Sequence, residues 1–332
     1  MPLISFIIPA YNSEKTLVRA VESITDSLPE HLYEILIIDD GSADSTLSLA
    51  KQLAKKNQQL RVFTAGNGVG QARNTGIKHA HGQLVAFLDA DDHYLTTALS
   101  KALDQDKMTH ADLQIFSFEH GKDIVDLTLP MTNSLETCCR MLEKPTNYMT
   151  VWGKFFKRSL LVDNTIYFNE KLTMSEDSEF LIRYLAVCKT ITTSSLVLYH
   201  YTIDTPSATR SFEPHKIQAY LDSLNVTEDF ISSRPQMIQT AFLSYILIQV
   251  NIIAVRLIYT LNNPASNKQK KQELAKVVAS PVVNKALKQI SLRQCLTPHL
   301  IPGLFLKLKI PSVAILLFKL RSKQNAKKEV NS

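Results

Sequence analysis

Short apolar runs alternate with longer periodic segments through the first hundred residues. Leu3-Ile4-Ser5-Phe6-Ile7-Ile8 is closed by Pro9; it is too short for a helix and rich in β-branched residues, which predicts a buried strand. Ser13 stands where an N-cap belongs, and Leu17, Val21, Ile24 and Leu28 then recur at helical spacing. Ile35-Leu36-Ile37-Ile38 predicts a second buried strand, cut off by Asp39-Asp40-Gly41-Ser42, with a helix after it through about Lys56. Further strands are expected at residues 60–63 and at Leu84-Val85-Ala86-Phe87-Leu88. Such alternation implies parallel strands, right-handed crossovers and a sheet covered on both faces. Beyond about residue 215 the pattern becomes helical, with long segments at 217–231 and 238–261 and a polar linker at 262–272. The expected division is a catalytic α/β domain over residues 1–215 and a helical region over 216–332.

Composition narrows the class. A chain of 332 residues with 45% hydrophobic and 20% charged positions can build a core without disulfides or a structural metal. Cys138, Cys139, Cys188 and Cys295 form no C-x-x-C pair, so buried thiols are expected. No signal-type segment opens the chain, and no apolar stretch is expected to approach the roughly 20 residues of a spanning helix. The expected location is cytoplasmic. The net charge of +6 is unevenly spread: residues 264–332 hold 14 Lys/Arg against two Asp/Glu. Residues 1–263 hold the remaining 23 Lys/Arg and 29 Asp/Glu, a balance of −6.

In open α/β sheets ligands bind outside the carboxyl ends of the strands. Three expected strands end in polar sequence: Pro9-Ala10-Tyr11-Asn12, Asp39-Asp40-Gly41-Ser42 and Asp89-Ala90-Asp91-Asp92. Asp89 and Asp91, with Asp92 beside them, put several hard oxygens on one turn, suited to Mg²⁺ or Mn²⁺ bridging a diphosphate. An acidic turn that merely caps the next helix has the same sequence. Asp40 could accept a hydrogen bond from a uracil imide, and Tyr11 could stack on the base; each also reads as an ordinary turn residue. Arg73 sits just inside a helix, within reach of an anionic nucleotide. Glu176 and Asp177 open an amphipathic helix, either as dipole and capping residues or as a base for an acceptor hydroxyl. His200 reads as a core histidine or a metal ligand.

Taken in order, Ile8-Pro9-Ala10-Tyr11-Asn12, Ile38-Asp39-Asp40-Gly41-Ser42, Ala72-Arg73-Asn74-Thr75-Gly76, Phe87-Leu88-Asp89-Ala90-Asp91-Asp92, Val151-Trp152-Gly153-Lys154-Phe155 and Glu176-Asp177 resemble the family 2 glycosyltransferases. The resemblance spans roughly residues 3–210 and implies a GT-A (Rossmann-like) domain with a mixed central sheet, followed here by a helical C-terminal region. It further implies an inverting, metal-dependent hexosyl transfer of the bacterial polysaccharide type. On the matching positions, Pro9, Tyr11, Asp40 and Arg73 would line the nucleoside pocket of a UDP-sugar, and Asp89 would meet the ribose or donor sugar. Asp91 would carry the Mn²⁺ or Mg²⁺, and Asp177 would be the catalytic base with Glu176 orienting it. Trp152 and Lys154 would border the acceptor side, and Asp92 and His200 are second-rank candidates near the metal. Ser175 departs from the family, replacing a glycine that often precedes the Glu-Asp pair, and Phe155-Phe156 replaces a more polar pair.

Residues 299–323 mix Leu, Ile and Phe with lysines, and no acid occurs between Glu273 and Glu329. This segment would either lie on an anionic membrane surface, serving a lipid-linked saccharide acceptor on the inner face of the cell membrane, or pack as a helical extension. A nucleic-acid partner is not expected, because no such motif is present. Two other reaction classes fit less well. A phosphatase using D-x-D would want the pair after the first strand, and a pyrophosphorylase would want a glycine-rich first loop. A non-catalytic nucleotide-sugar-binding module of the same fold is the remaining alternative.

Overall fold

The computed structural model describes residues 2–66, 68–104, 110–130, 133–203 and 213–331, with side chains to residue 327. It divides into two compact units, Met1–Thr137 with Met149–Thr205, and Cys138–Tyr148 with Pro206–Ser332.

The first unit is built on one sheet. Its strands are β1 (Ile4–Ala10), β2 (Tyr33–Asp39), β3 (Leu60–Thr64), β4 (Leu84–Phe87), β5 (His93–Tyr94), β6 (Leu113–His120), β7 (Asp123–Val125), β8 (Lys154–Lys157) and β9 (Ile191–Tyr201). They run in the order β3-β2-β1-β4-β8-β6-β9-β5, with β7 hydrogen-bonded to β6. The first four strands are parallel, with Ile4 opposite both Tyr33 and Leu84. All seven residues of β1 and of β2 are buried, as expected of central strands covered on both faces, and the polar Ser5 and Glu34 within them bond each other at 2.7 Å. The sheet becomes mixed at β8, which lies antiparallel between β4 and β6, whereas β6 and β9 are parallel. The parallel register aligns the carboxyl ends of β1, β2 and β4 on one edge, and that edge carries the site.

Helix starts differ from the expected ones. The first helix is Leu17–Thr25 with Thr16 as its N-cap and no side-chain cap bond. Ser13 instead donates its N–H to Thr46 Oγ1 at 2.7 Å, tying the loop after β1 to the start of helix Thr46–Lys56. Ser175 adopts φ 57°, a left-handed conformation that glycine reaches without strain, which accounts for the glycine expected there. Phe155 and Phe156 are fully buried in β8.

The second unit is helical. The expected polar linker is shorter than residues 262–272, because helix Asn267–Ala279 begins inside it with a capping box between Ser266 and Gln269. The expectation that no apolar stretch approaches spanning length is also corrected. Helix Gln236–Ile252 continues as a π-helical stretch, Ile253–Ile258, giving 23 residues long and apolar enough to cross a membrane by length and composition. Most of it is buried inside the protein, 78% of its most apolar window, against helices His215–Ile231, Pro281–Gln289 and Ile301–Lys307. A helix enclosed by neighbours is apolar on every face, so the same composition serves a core helix. The tail forms helices Ile301–Lys307 and Pro311–Asn331. Leu300, Leu306, Ala314 and Phe318 of the tail are buried, and Phe318 stacks on Tyr259. All four cysteines are buried, and none is in a disulfide.

Candidate active site

At the end of β1, Pro9 still belongs to the strand, while Tyr11 is 61% exposed. Asn12 takes φ 49°, and its Oδ1 accepts the Ala43 N–H at 2.8 Å while its own N–H donates to Ser42 Oγ at 3.0 Å. The loops after β1 and β2 are thereby locked together. Asp39 is buried and accepts the Ser42 N–H, whereas half-buried Asp40 accepts the Gly68 N–H at 3.1 Å. The two neighbouring aspartates thus separate into a turn former and a residue that faces the crevice edge.

Arg73, on helix Val69–His79, is only 4% exposed and collects three carboxylates. Its guanidinium lies 2.6 Å from Asp177, 3.2 Å from Asp89 and 3.4 Å from Glu176. Its other flank rests on the Phe168 ring, 5.2 Å from the centroid, and Phe168 is held by Asn74, whose side chain bonds both the N–H and the C=O of Phe168. Arg73 therefore bridges the acid at the end of β4 to the acids that open helix Glu176–Leu185. Two of its guanidinium nitrogens, Nη1 and Nη2, thus sit on acids. The surrounding negative charge raises its pKa although burial opposes that.

Asp177 is crowded by protein, yet a fifth of its side chain still meets solvent. Burial pushes its pKa up to about 7, with Glu176 and Asp89 acting the same way and Arg73 acting against them. The Val151 backbone N–H acts on the same side as Arg73, favouring the charged form.

The acidic turn after β4 divides as well. Asp92 is 1% exposed and accepts the Tyr199 O–H at 2.7 Å and the Thr202 N–H at 2.8 Å. Burial and the neighbouring charges of Asp89 and Asp91 push it up to about 8. Asp92 is thus an internal anchor, while Asp89 and Asp91 remain half-buried. Arg19 fixes the turn through the Asp91 carbonyl at 2.6 Å and Thr202 Oγ1 at 3.2 Å. Trp152 is buried and stacked on Tyr199 at 4.7 Å, and Lys154 is buried in β8. His200 pairs with Glu119 at 2.9 Å, and its ring lies tilted against that of His93, opposite it in the β5–β9 register, with centroids 4.5 Å apart.

Among the described residues no three His, Cys, Asp or Glu side chains converge as a complete metal cage. The donor set still fits a hard divalent cation that takes most of its ligands from water and phosphate, as Mg²⁺ does. Arg73 meets Asp89, Glu176 and Asp177, and Arg19 holds the Asp91 carbonyl; burial first, and then the neighbouring carboxylates, raise the pKa values of Asp92 and Asp177. Asp91 is the residue that would hold the ion.

Arg19, Tyr199 and Thr202 lie outside the sequence motifs, and Asn74 and Val151 lie inside them without being singled out. For Tyr199 a weak signal existed: residues alternate sides in a strand, so Tyr199 and His200 point to opposite faces. The others act through bonds that only the folded chain creates.

Residues 5–165 match the profile of Glycosyl transferase family 2. Poly(ribitol-phosphate) beta-N-acetylglucosaminyltransferase TarS of Staphylococcus aureus is 28% identical over 239 residues, which cover 68% of this chain and 38% of TarS. The chain thus spans well under half the length of that relative. The crystal structure of S. aureus TarS 1-349 in complex with UDP superimposes with a TM-score of 0.66 at 18% identity, covering 98% of this chain and 92% of that one. Mannosyltransferase PcManGT from Pyrobaculum calidifontis, in complex with GDP-Man and Mn²⁺, follows with a TM-score of 0.53 at 15% identity, covering 96% and 87%. At these identities the structural likeness establishes the fold, and that fold is GT-A-like. The ordered motifs, the mixed sheet and the family match agree: residues 5–165 of this chain form a glycosyl transferase family 2 domain.

Proposed function

We propose that this protein transfers a sugar from a UDP-sugar to a saccharide or lipid-linked saccharide acceptor, with inversion at the anomeric carbon. The observation that carries the reading is the Arg73 bridge, which joins Asp89 at the donor edge to Asp177 at a helix N-terminus 88 positions later. Single displacement needs a base on the acceptor face and a stabilised diphosphate on the opposite face, and this bridge fixes the first group relative to the second. Tyr11 stacks on the base, Asp40 reads the uracil, and Asp89 meets the ribose or donor sugar. A divalent cation on Asp91, when bound, supplies Lewis acidity and charge neutralisation to the leaving diphosphate. Asp177 takes the proton of the attacking hydroxyl as its oxygen bonds to the anomeric carbon and the bond to the diphosphate breaks. Its pKa near neutrality suits that task, since a general base works best when its pKa lies near the operating pH. Support for UDP comes from the TarS complex, and for a metal from the Mn²⁺ complex of the mannosyltransferase.

The test is a thermal-shift titration followed by nucleotide-release assays. UDP with Mn²⁺ raises the melting temperature, and Asp91→Ala loses the Mn²⁺-dependent part while keeping the response to UDP alone. A parent-like response of Asp91→Ala to Mn²⁺ would remove Asp91 as the metal ligand.

A lipid-linked acceptor would bring the enzyme to a membrane surface, and the tail offers a face for it. Leu308, Ile310, Leu316 and Leu320 are exposed in a region carrying twelve more cations than acids over residues 264–332. Apolar anchors among lysines suit an anionic bilayer interface. We therefore place the protein peripherally on such a surface.

A further inference from the structure

Lys154 is 1% exposed within β8. Its Nζ donates to Thr150 Oγ1 at 3.2 Å and to the Trp152 carbonyl at 3.4 Å, both uncharged oxygens. Among the described residues it forms no ion pair within 4.0 Å. The ammonium thus grips the chain on each side of Val151. Gly153, at φ 67°, makes the left-handed turn that lets the lysine reach back to residues 150 and 152. The gripped segment is in turn fastened to the first turn of helix Glu176–Leu185. The Ser178 hydroxyl donates to the Met149 carbonyl at 3.3 Å, and the Val151 N–H in the same segment favours the charged Asp177 carboxylate. An apolar side chain of similar length would fill this space without the cost of burying a charge. What it could not do is hold residues 150 and 152 together.

We propose that Lys154 is the positioning residue for the Asp177 base, clamping the 150–152 turn so that the Val151 N–H stays aimed at the Asp177 carboxylate. The inference rests on the role of Asp177 proposed above. Four charged groups face Asp177: Arg73 from helix Val69–His79, Asp89 after β4, Glu176 beside it, and Lys154 from β8. Burial brings the lysine down to about 7, and the charge of Asp177 pulls it the other way, consistent with the two groups sensing each other. Loss of the lysine removes a positive charge and loosens a donor to the carboxylate. Both changes favour the protonated acid, so the Asp177 titration moves to higher pH.

The experiment follows Asp carboxyl ¹³C shifts against pH in the full chain, with Asp177 assigned by its loss in Asp177→Asn. Lys154→Met is expected to raise the Asp177 titration by about one pH unit or more. Thr150→Val keeps the charge and removes one arm of the clamp; it should move the titration in the same direction by less. Asp177 titrating as in the parent in both variants overturns the proposal, whatever their melting temperatures, because a merely structural lysine would lower stability without moving that titration. Should Lys154→Met not fold, Thr150→Val decides alone. Full turnover in Asp177→Asn would instead remove Asp177 as the base, and leaves the titration result separately readable.

Discussion

Asp89, Glu176 and Asp177 share one guanidinium, so none is fully neutralised by it. Burial outweighs that ion pair, and Glu176 and Asp89 add to it, so a carboxylate 2.6 Å from an arginine still has its pKa pushed up to about 7. A base must be ionised, so turnover is full above that value and falls as pH drops through it. The pH profile of kcat should therefore show an acid limb near 7, losing about tenfold per unit below it. Asp177→Asn keeps the hydrogen-bonding shape but takes no proton. It should retain donor binding while kcat falls about 10²–10⁴-fold. Unchanged turnover in that variant would end the assignment. The acidic turn makes a related point. Its three aspartates look equivalent in sequence, yet Asp92 spends both oxygens on Tyr199 and Thr202. Asp91 is left half-buried and nearer to solvent.

Helix Val69–His79 must lie close against β1 to deliver Arg73, and Gly76 makes the close approach. A Cβ there would clash with Ile7 Cγ2, with two more Ile7 atoms at 2.9 and 3.0 Å. The neighbour is a branched side chain in a fully buried strand and has little room to yield. Gly76→Ala should cost about 1–3 kcal/mol even though alanine is the better helix former. Gly70 on the same helix is the control, because an added Cβ would meet Phe168 and Glu170 atoms no closer than 3.6 Å. Gly70→Ala should leave stability within about 1 kcal/mol of the parent. Denaturant midpoints measure both, and equal losses would contradict the packing argument. The motif glycine is therefore read here as a spacing device between helix and sheet.

The second unit alters how the tail is tested. Removing residues 299–332 would strip Leu300, Leu306, Ala314 and Phe318 from its core, so weakened vesicle binding by such a truncation would report unfolding as readily as lost anchoring. Replacing Leu308, Ile310, Leu316 and Leu320 by Ser leaves that core in place. The fourfold variant should melt close to the parent and lose about tenfold or more of its binding to anionic vesicles, since each replaced side chain removes about 1.5–3 kcal/mol of burial at most. Sedimentation with vesicles measures this, and parent-like binding would end the membrane reading. The 23-residue apolar helix at Gln236–Ile258 carries the same lesson: its composition suits a bilayer, and its neighbours bury it in protein.

The sequence by itself determined the strands and their polar ends. A short apolar run rich in β-branched residues and closed by turn residues or carboxylates suits a buried strand, and three such runs leading to Tyr11, Asp40 and Asp89 name one edge of a sheet. The order of the motifs also carried the family. Local pattern held no information about β8 reversing the sheet, because strand direction depends on which neighbour a strand meets. Nor could it separate Asp91 from Asp92, or show Arg73 turned toward acids, since burial and ion pairing are set by atoms distant in the chain. Tertiary structure alone decided those points: it brought Asp177 within 2.6 Å of Arg73 and set Lys154 behind the turn that faces it.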